Sequence, residues 1–186
     1  MKQASEIIQT LQDQLPDQII KSSQECLQPF VVVASDAVAE ICAFLKNDRD
    51  LAFDTLMCLS GVDYKNAKNE PERLEVVYHL FSMHHRHKIV LKAELPREDP
   101  ALPTVETVWD IANWHEREAY DMYGIHFDGH SDLRRILCPD DWVDFPLRKD
   151  YVQPETYRGM PAAAAKQFAE RAQEGEDLGT DPFRAG

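Results

Sequence analysis

Long apolar runs are missing from this sequence. The longest, such as Phe30 to Ala34 and Leu56 to Leu59, fall far short of the roughly 20 residues that span a bilayer. No segment therefore reads as a transmembrane helix. Cysteine is scarce and scattered: Cys26, Cys42, Cys58 and Cys138 form no C-x-x-C pair and no compact Cys/His set of the kind that wraps zinc or an iron–sulfur cluster. They read as reduced structural cysteines, with Cys42 packing as a small hydrophobe. A basic stripe is also absent. With 33 acids against 20 bases and a net charge of -13, the surface repels phosphate backbones and anionic headgroups, which excludes nucleic acid and direct lipid binding. Met1 to Glu6 contains no apolar h-region, so no secretory signal is read and a cytoplasmic address is expected.

What is present is ordinary for a globular chain: 44% hydrophobic and 28% charged residues over 186 positions, enough for one domain and an extra segment. Ile7, Ile8, Leu11 and Leu15 recur at helical spacing after Ser5, a cap candidate, and Pro16 stops them, giving a docking or surface helix. Phe30 to Val33 reads as a buried strand. Ser35 caps a second helix through Val38, Ile41, Cys42 and Leu45. Leu51 to Val62 is ambiguous, with its second half leaning to strand. Leu74, Val76, Tyr78 and Leu80 alternate with Arg73, Glu75, Val77 and His79, and Ile89, Leu91, Ala93 and Leu95 follow a polar break, so an antiparallel hairpin is expected.

Thr104 to Tyr123 reads as one long helix, introduced by Pro103 and closed by Gly124. Val105, Val108, Trp109, Ala112, Ala119, Tyr120 and Tyr123 form the face expected against the sheet. Ile111, Trp114 and Met122 form a second apolar patch, which predicts cover on both sides. Beyond it Pro139, Pro146, Pro154 and Pro161 recur without periodicity, and Trp142, Phe145, Tyr151 and Tyr157 stud a polar background. Such a stretch suits wrapping a partner. Pro161 and the four alanines after it suggest one more helix to about Gln173. The fold expected is α+β: a compact mixed sheet with an antiparallel hairpin packed by helices over residues 1–138, and an extended, partner-wrapping segment over 139–186.

Three patches invite a chemical reading. His84, His85 and His87 lie between two predicted strands, where neighbouring side chains point to opposite faces, so a solvated turn is favoured over a metal site. His115 and Glu118 are helical neighbours, but Ala119 stands where the second histidine of H-E-x-x-H belongs. A metal hydrolase is thus the weaker alternative. Glu116 falls on the apolar face, where a carboxylate must be paired, hydrogen-bonded or protonated, and Arg134 and Arg135 are its expected partners. The third patch runs from His130 through Leu137 to Pro146 through Tyr151, and its alternating Arg and Asp suit bidentate pairing that fixes an irregular backbone or an interface.

Glu116-Arg117-Glu118-Ala119-Tyr120-Asp121-Met122-Tyr123-Gly124-Ile125, His130 through Leu137 and Pro146 through Tyr151 resemble the signature of the 30 kDa (C-type) subunit of respiratory complex I, the NADH:quinone oxidoreductase. Leu59 through Tyr64 and Glu75 through Leu80 also fit, so the resemblance covers roughly residues 30–155. Ser131 stands where the family usually has proline, and Asp144 where it often has glycine. The resemblance implies a cofactor-free structural subunit of the peripheral arm, supporting the quinone-binding region without catalytic residues of its own. FMN, iron–sulfur clusters and quinone are then expected in partner subunits. The implied partners are the quinone-pocket subunit of D type and cluster-bearing neighbours of B and I types, on the cytoplasmic side of the bacterial inner membrane. The equivalent subunit of a ferredoxin-dependent or hydrogenase complex, and an assembly chaperone, remain alternatives. Signature and interface or ion-pair positions so assigned are Glu116, Arg117, Glu118, Asp121, Gly124, His130, Asp132, Arg134, Arg135, Trp142, Pro146, Arg148, Lys149, Asp150 and Tyr151.

Overall fold

A computed structural model describes residues 2–65 and 71–161. Beyond Pro161, the helix expected to about Gln173 lies outside the described residues. Residues Met1–Asp150 form one compact unit and Tyr151–Gly186 a second.

The first unit is built on a mixed five-stranded sheet of order β1-β2-β5-β4-β3. The strands are β1 (Ile19–Ser23), β2 (Phe30–Val33), β3 (Thr55–Asp63), β4 (Leu74–Ser82) and β5 (His87–Leu95). β2 runs parallel to β5, and the other neighbours are antiparallel. The expected hairpin is β4–β5, and its alternation puts Leu74, Val76, Tyr78, Leu80, Ile89, Leu91, Ala93 and Leu95 into the core. The opposite face holds charge: Glu75 pairs with Lys92 at 2.8 Å, and Lys21 with Glu94 at 2.8 Å. Period-2 patterning thus separates an apolar face from an ionic one. β1 has no such signature, because Ile19-Ile20-Lys21-Ser22-Ser23 shows no sustained alternation, and sequence reasoning did not find it.

Helices α1 (Ala4–Gln14), α2 (Val38–Asn47) and α3 (Ala112–Tyr123) feed the same apolar cluster. Ser5 lies inside α1 and does not cap it; the cap position is Gln3, whose N–H donates to Glu6 at 2.6 Å. Ile7, Ile8 and Leu11 are fully buried, so α1 belongs to the core. Ser35 opens a short 3-10 turn before α2 and makes no capping hydrogen bond.

The third helix is shorter than its periodicity suggests. Residues 101–103 form a short strand, β6, parallel to β7 (His126–Asp128), and the Thr104 N–H continues that pairing onto the Asp128 carbonyl at 3.0 Å. Thr104 to Ile111 then runs in turns, with Val108 and Trp109 both donating to the Val105 carbonyl, and α3 starts only at Ala112. Successive turns share the helix's apolar spacing, so the pattern could not separate them. At its other end α3 stops as expected, with Gly124 at φ 69°.

The expected solvated histidine turn is only partly so. His84 is exposed, whereas His87 lies in β5, is buried, and sits 2.7 Å from the Leu51 carbonyl. In the second unit, residues 156–157 and 160–161 pair antiparallel around a turn with Gly159 at φ 78°.

Candidate functional site

The signature residues gather around α3 in three groups. On its inner side Glu116 is fully buried and its carboxylate accepts from Thr104 Oγ1 at 2.5 Å and the Val105 N–H at 2.7 Å. Neither Arg134 nor Arg135 reaches it, which corrects the expected ion pair. Burial pushes the Glu116 carboxyl up to about 7; the Thr104 and Val105 bonds oppose the rise and the Glu106 charge adds to it. The fully buried His130 side chain lies beside it, with Nε2 3.9 Å from Glu116 and 3.6 Å from Glu106. Its Nδ1 accepts the Asp132 N–H at 3.0 Å, which leaves Nε2 to donate to the Asn113 carbonyl at 3.1 Å. Glu106 accepts the Ser131 N–H at 2.8 Å, a bond that proline could not make, so the departure at Ser131 is compensated locally.

The second group centres on Asp121, whose side chain is fully buried. One carboxylate oxygen accepts three consecutive backbone N–H groups, from Ile136 (3.0 Å), Leu137 (2.7 Å) and Cys138 (2.8 Å). The other receives Arg135 Nη1 at 2.7 Å. Burial raises the Asp121 carboxyl, but the bonds from Cys138, Arg135, Leu137 and Ile136 outweigh it and hold the group below its usual range. One buried charge thereby replaces the regular secondary structure that the loop lacks. Arg135 also donates to the Asp144 carbonyl at 3.2 Å. Asp144 itself has φ 62°, the left-handed geometry for which glycine is favoured, so the turn is kept despite the departure.

The third group ties the segment to the end of the sheet. Asp63 receives the Lys149 N–H at 2.9 Å and pairs with Arg97, which also reaches Asp150 at 2.8 Å. Lys65 completes the set at 3.0 Å from Asp150, and its bond holds the exposed Asp150 carboxyl down at about 2. Arg148 binds carbonyls where a carboxylate was expected: Tyr123 at 2.6 Å and Arg97 at 3.4 Å. Phe145 lies near Arg135 and Arg148, with centroid distances of 5.5 and 4.9 Å. Its ring packs so closely on Gly124 that a Cβ there would fall 2.4 Å from it. Pro146 follows it, and the Leu147 N–H donates to the Met122 carbonyl at 3.1 Å.

The remaining assigned positions lie nearer solvent. Arg134 pairs with Asp132 at 2.9 Å on the surface, Glu118 is exposed and Trp142 is half-buried. Tyr151 belongs to the second unit. Among the described residues, no group of three or more His, Cys, Asp or Glu is placed to hold a metal, so His115 and Glu118 gain no third ligand. Sequence reasoning missed Thr104, Glu106 and Arg97; only the motif Gly61-Val62-Asp63-Tyr64 pointed towards Asp63.

All of these groups fall within residues 31–157, which match a family model described as respiratory-chain NADH dehydrogenase, 30 Kd subunit. The chain belongs to this family. The C-type subunit of the NADH-quinone oxidoreductase of Chloroherpeton thalassium is 46% identical over 152 residues, covering 81% of this chain and 61% of that protein. The chain thus spans about three-fifths of that relative. The same subunit of Chlorobium phaeobacteroides is 46% identical over 139 residues, covering 74% and 81%. Among solved structures, the trypsin-resistant fragment (1-134) of Nqo5 superposes with a TM-score of 0.61 at 29% identity, over 71% of this chain and all of that one. A chain of an archaeal membrane-bound sulfane sulfur reductase shares the fold, with a TM-score of 0.65 at 21% identity over 81% of this chain and 86% of its own length.

Proposed function

We propose that this 30 kDa-family chain is a structural subunit of the peripheral arm of an NADH-quinone oxidoreductase, where it supports the quinone-binding region while electrons pass through cofactors held elsewhere. FMN, iron–sulfur clusters and quinone belong to partner subunits in this reading, and no residue of this chain takes part in chemistry. Its partners are the quinone-pocket subunit of D type and the cluster-bearing B and I types, on the cytoplasmic side of the bacterial inner membrane. No helix among the described residues is long and apolar enough to cross a membrane, and in this reading the chain is attached through the complex.

The observation that carries this reading is how the segment after α3 is held. Asp121, Asp63 and the α3 carbonyls fix its backbone, while Leu137, Val143 and Leu147 are each more than half exposed. A backbone fixed by buried polar bonds with its apolar side chains turned outward suits docking against another protein. Identity of 46% to subunits named for NADH-quinone oxidoreductase favours that complex over a ferredoxin-dependent or hydrogenase relative. Affinity purification of the tagged full chain from gently solubilised membranes is expected to recover D-, B- and I-type chains with NADH:quinone activity. Recovery of the chain alone would overturn the proposal.

A further inference from the structure

Among the described residues most arginines around α3 have an anion, and two, Arg148 and Arg117, do not. Arg135 is on Asp121, Arg97 on Asp63 and Asp150, Arg134 on Asp132, and Lys65 on Asp150. Arg148 is half-buried and spends its donors on two carbonyls. Arg117 is only 4% exposed, yet among the described residues its one hydrogen bond runs from Nε to the Arg134 carbonyl at 3.3 Å, and no carboxylate pairs with it. A guanidinium carries five N–H donors, and the Nη groups of Arg117, which are not among the buried polar atoms left without a partner, are open to a ligand at the surface. The nearby acids are committed: Glu116 to Thr104 and Val105, and Asp121 to Arg135 and three amides.

Arg117 also meets an aromatic ring. Its guanidinium carbon is 5.2 Å from the Trp114 ring centroid, and Trp114 is 60% exposed. Ile111, at the N-cap of α3 three residues before Trp114 and so a neighbour of that position, is 47% exposed. A large aromatic, an aliphatic side chain and an unpaired guanidinium together have the composition of an interface hot spot, where Trp and Arg dominate binding. Complementarity of charge then fixes the occupant, since only an anion repairs the guanidinium, and the planar fork matches a carboxylate.

Resting on the structural-subunit reading above, we propose that Arg117 receives the carboxylate of an aspartate or glutamate from an adjoining chain of the complex, with apolar residues next to that acid packing on Trp114 and Ile111. The surface is a socket for an acid set in apolar sequence, and an uninterrupted acidic run would leave Trp114 uncovered.

The test uses the full chain within the purified complex, with p-benzoylphenylalanine in place of Ile111. The expected photo-crosslink maps to another chain, adjacent to an aspartate or glutamate. Arg117→Met is expected to lower the chain's recovery with the complex about thirtyfold, the scale of a hot-spot truncation. The full chain's thermal midpoint should hold, because Arg117 has no internal carboxylate to leave unpaired. Arg117→Glu combined with the mapped acid changed to Arg should restore recovery. Trp114→Ala, at an exposed position, should lower recovery without touching folding even if Arg117→Met folds poorly. A crosslink to this chain's own residues 162–186, to lipid, or to a stretch without an acid overturns the socket. So does unchanged recovery of Trp114→Ala or Arg117→Met. Wild-type chain that recovers no partners would instead refute the structural-subunit reading.

Discussion

Asp121→Asn is the most exacting perturbation of the site. Asparagine keeps the shape and one acceptor oxygen but removes the charge on which four donors converge. A hydrogen bond to a charged group contributes roughly 1.5–3 kcal/mol and one to a neutral group roughly 0.5–1.5, so about 1 kcal/mol is lost for each of the Ile136, Leu137 and Cys138 amides. Arg135 is left facing an amide, with a half-buried guanidinium uncompensated. The sum falls at about 3–5 kcal/mol, the range for breaking a buried pair from one side. Urea denaturation of the full chain measures the total, and hydrogen exchange at Ile136–Cys138 reports whether the loop is released before the sheet. The pH dependence has a definite sign: the folded-state carboxyl is held below the unfolded value of about 3.9, so its contribution is complete above that pH and fades as pH falls through the lower folded value. An Asn variant with wild-type stability and unchanged amide protection would refute the view that one carboxylate organises the loop.

Two further outcomes follow from the same geometry. Gly124→Ala places a Cβ in a left-handed position against the Phe145 ring and should cost about 2–4 kcal/mol in a thermal or urea melt, from the backbone and the overpacking together. Glu116 titrates the other way from Asp121: its folded value of about 7 lies above the unfolded value of about 4.3, so its contribution is complete below that pH and is lost as pH rises to 7. Glu116→Gln should flatten the change in urea midpoint between pH 5 and pH 8, and an undiminished slope would assign it to another group.

The sequence by itself determined the elements whose side chains alternate or recur strongly: the β4–β5 hairpin, the Phe30–Val33 strand, the α1 and α2 stripes, and the end of α3 at Gly124, where a left-handed residue is needed. It also determined that Glu116 is buried, because helical spacing fixes which face a residue joins. Only tertiary structure decided what Glu116 meets. Local periodicity says that a group is covered, whereas its partner depends on where a distant backbone passes, and here the β6–β7 pairing brings Thr104 and Val105 over the carboxylate and sends both expected arginines elsewhere. The same reason hid the late start of α3, since turns and helix share apolar spacing until long-range pairing separates them. Asp121 is the clearest case: nothing next to it in sequence announces that three amides some fifteen residues on will converge on its oxygen, because that convergence is a property of the chain's path and of one buried charge strong enough to hold it.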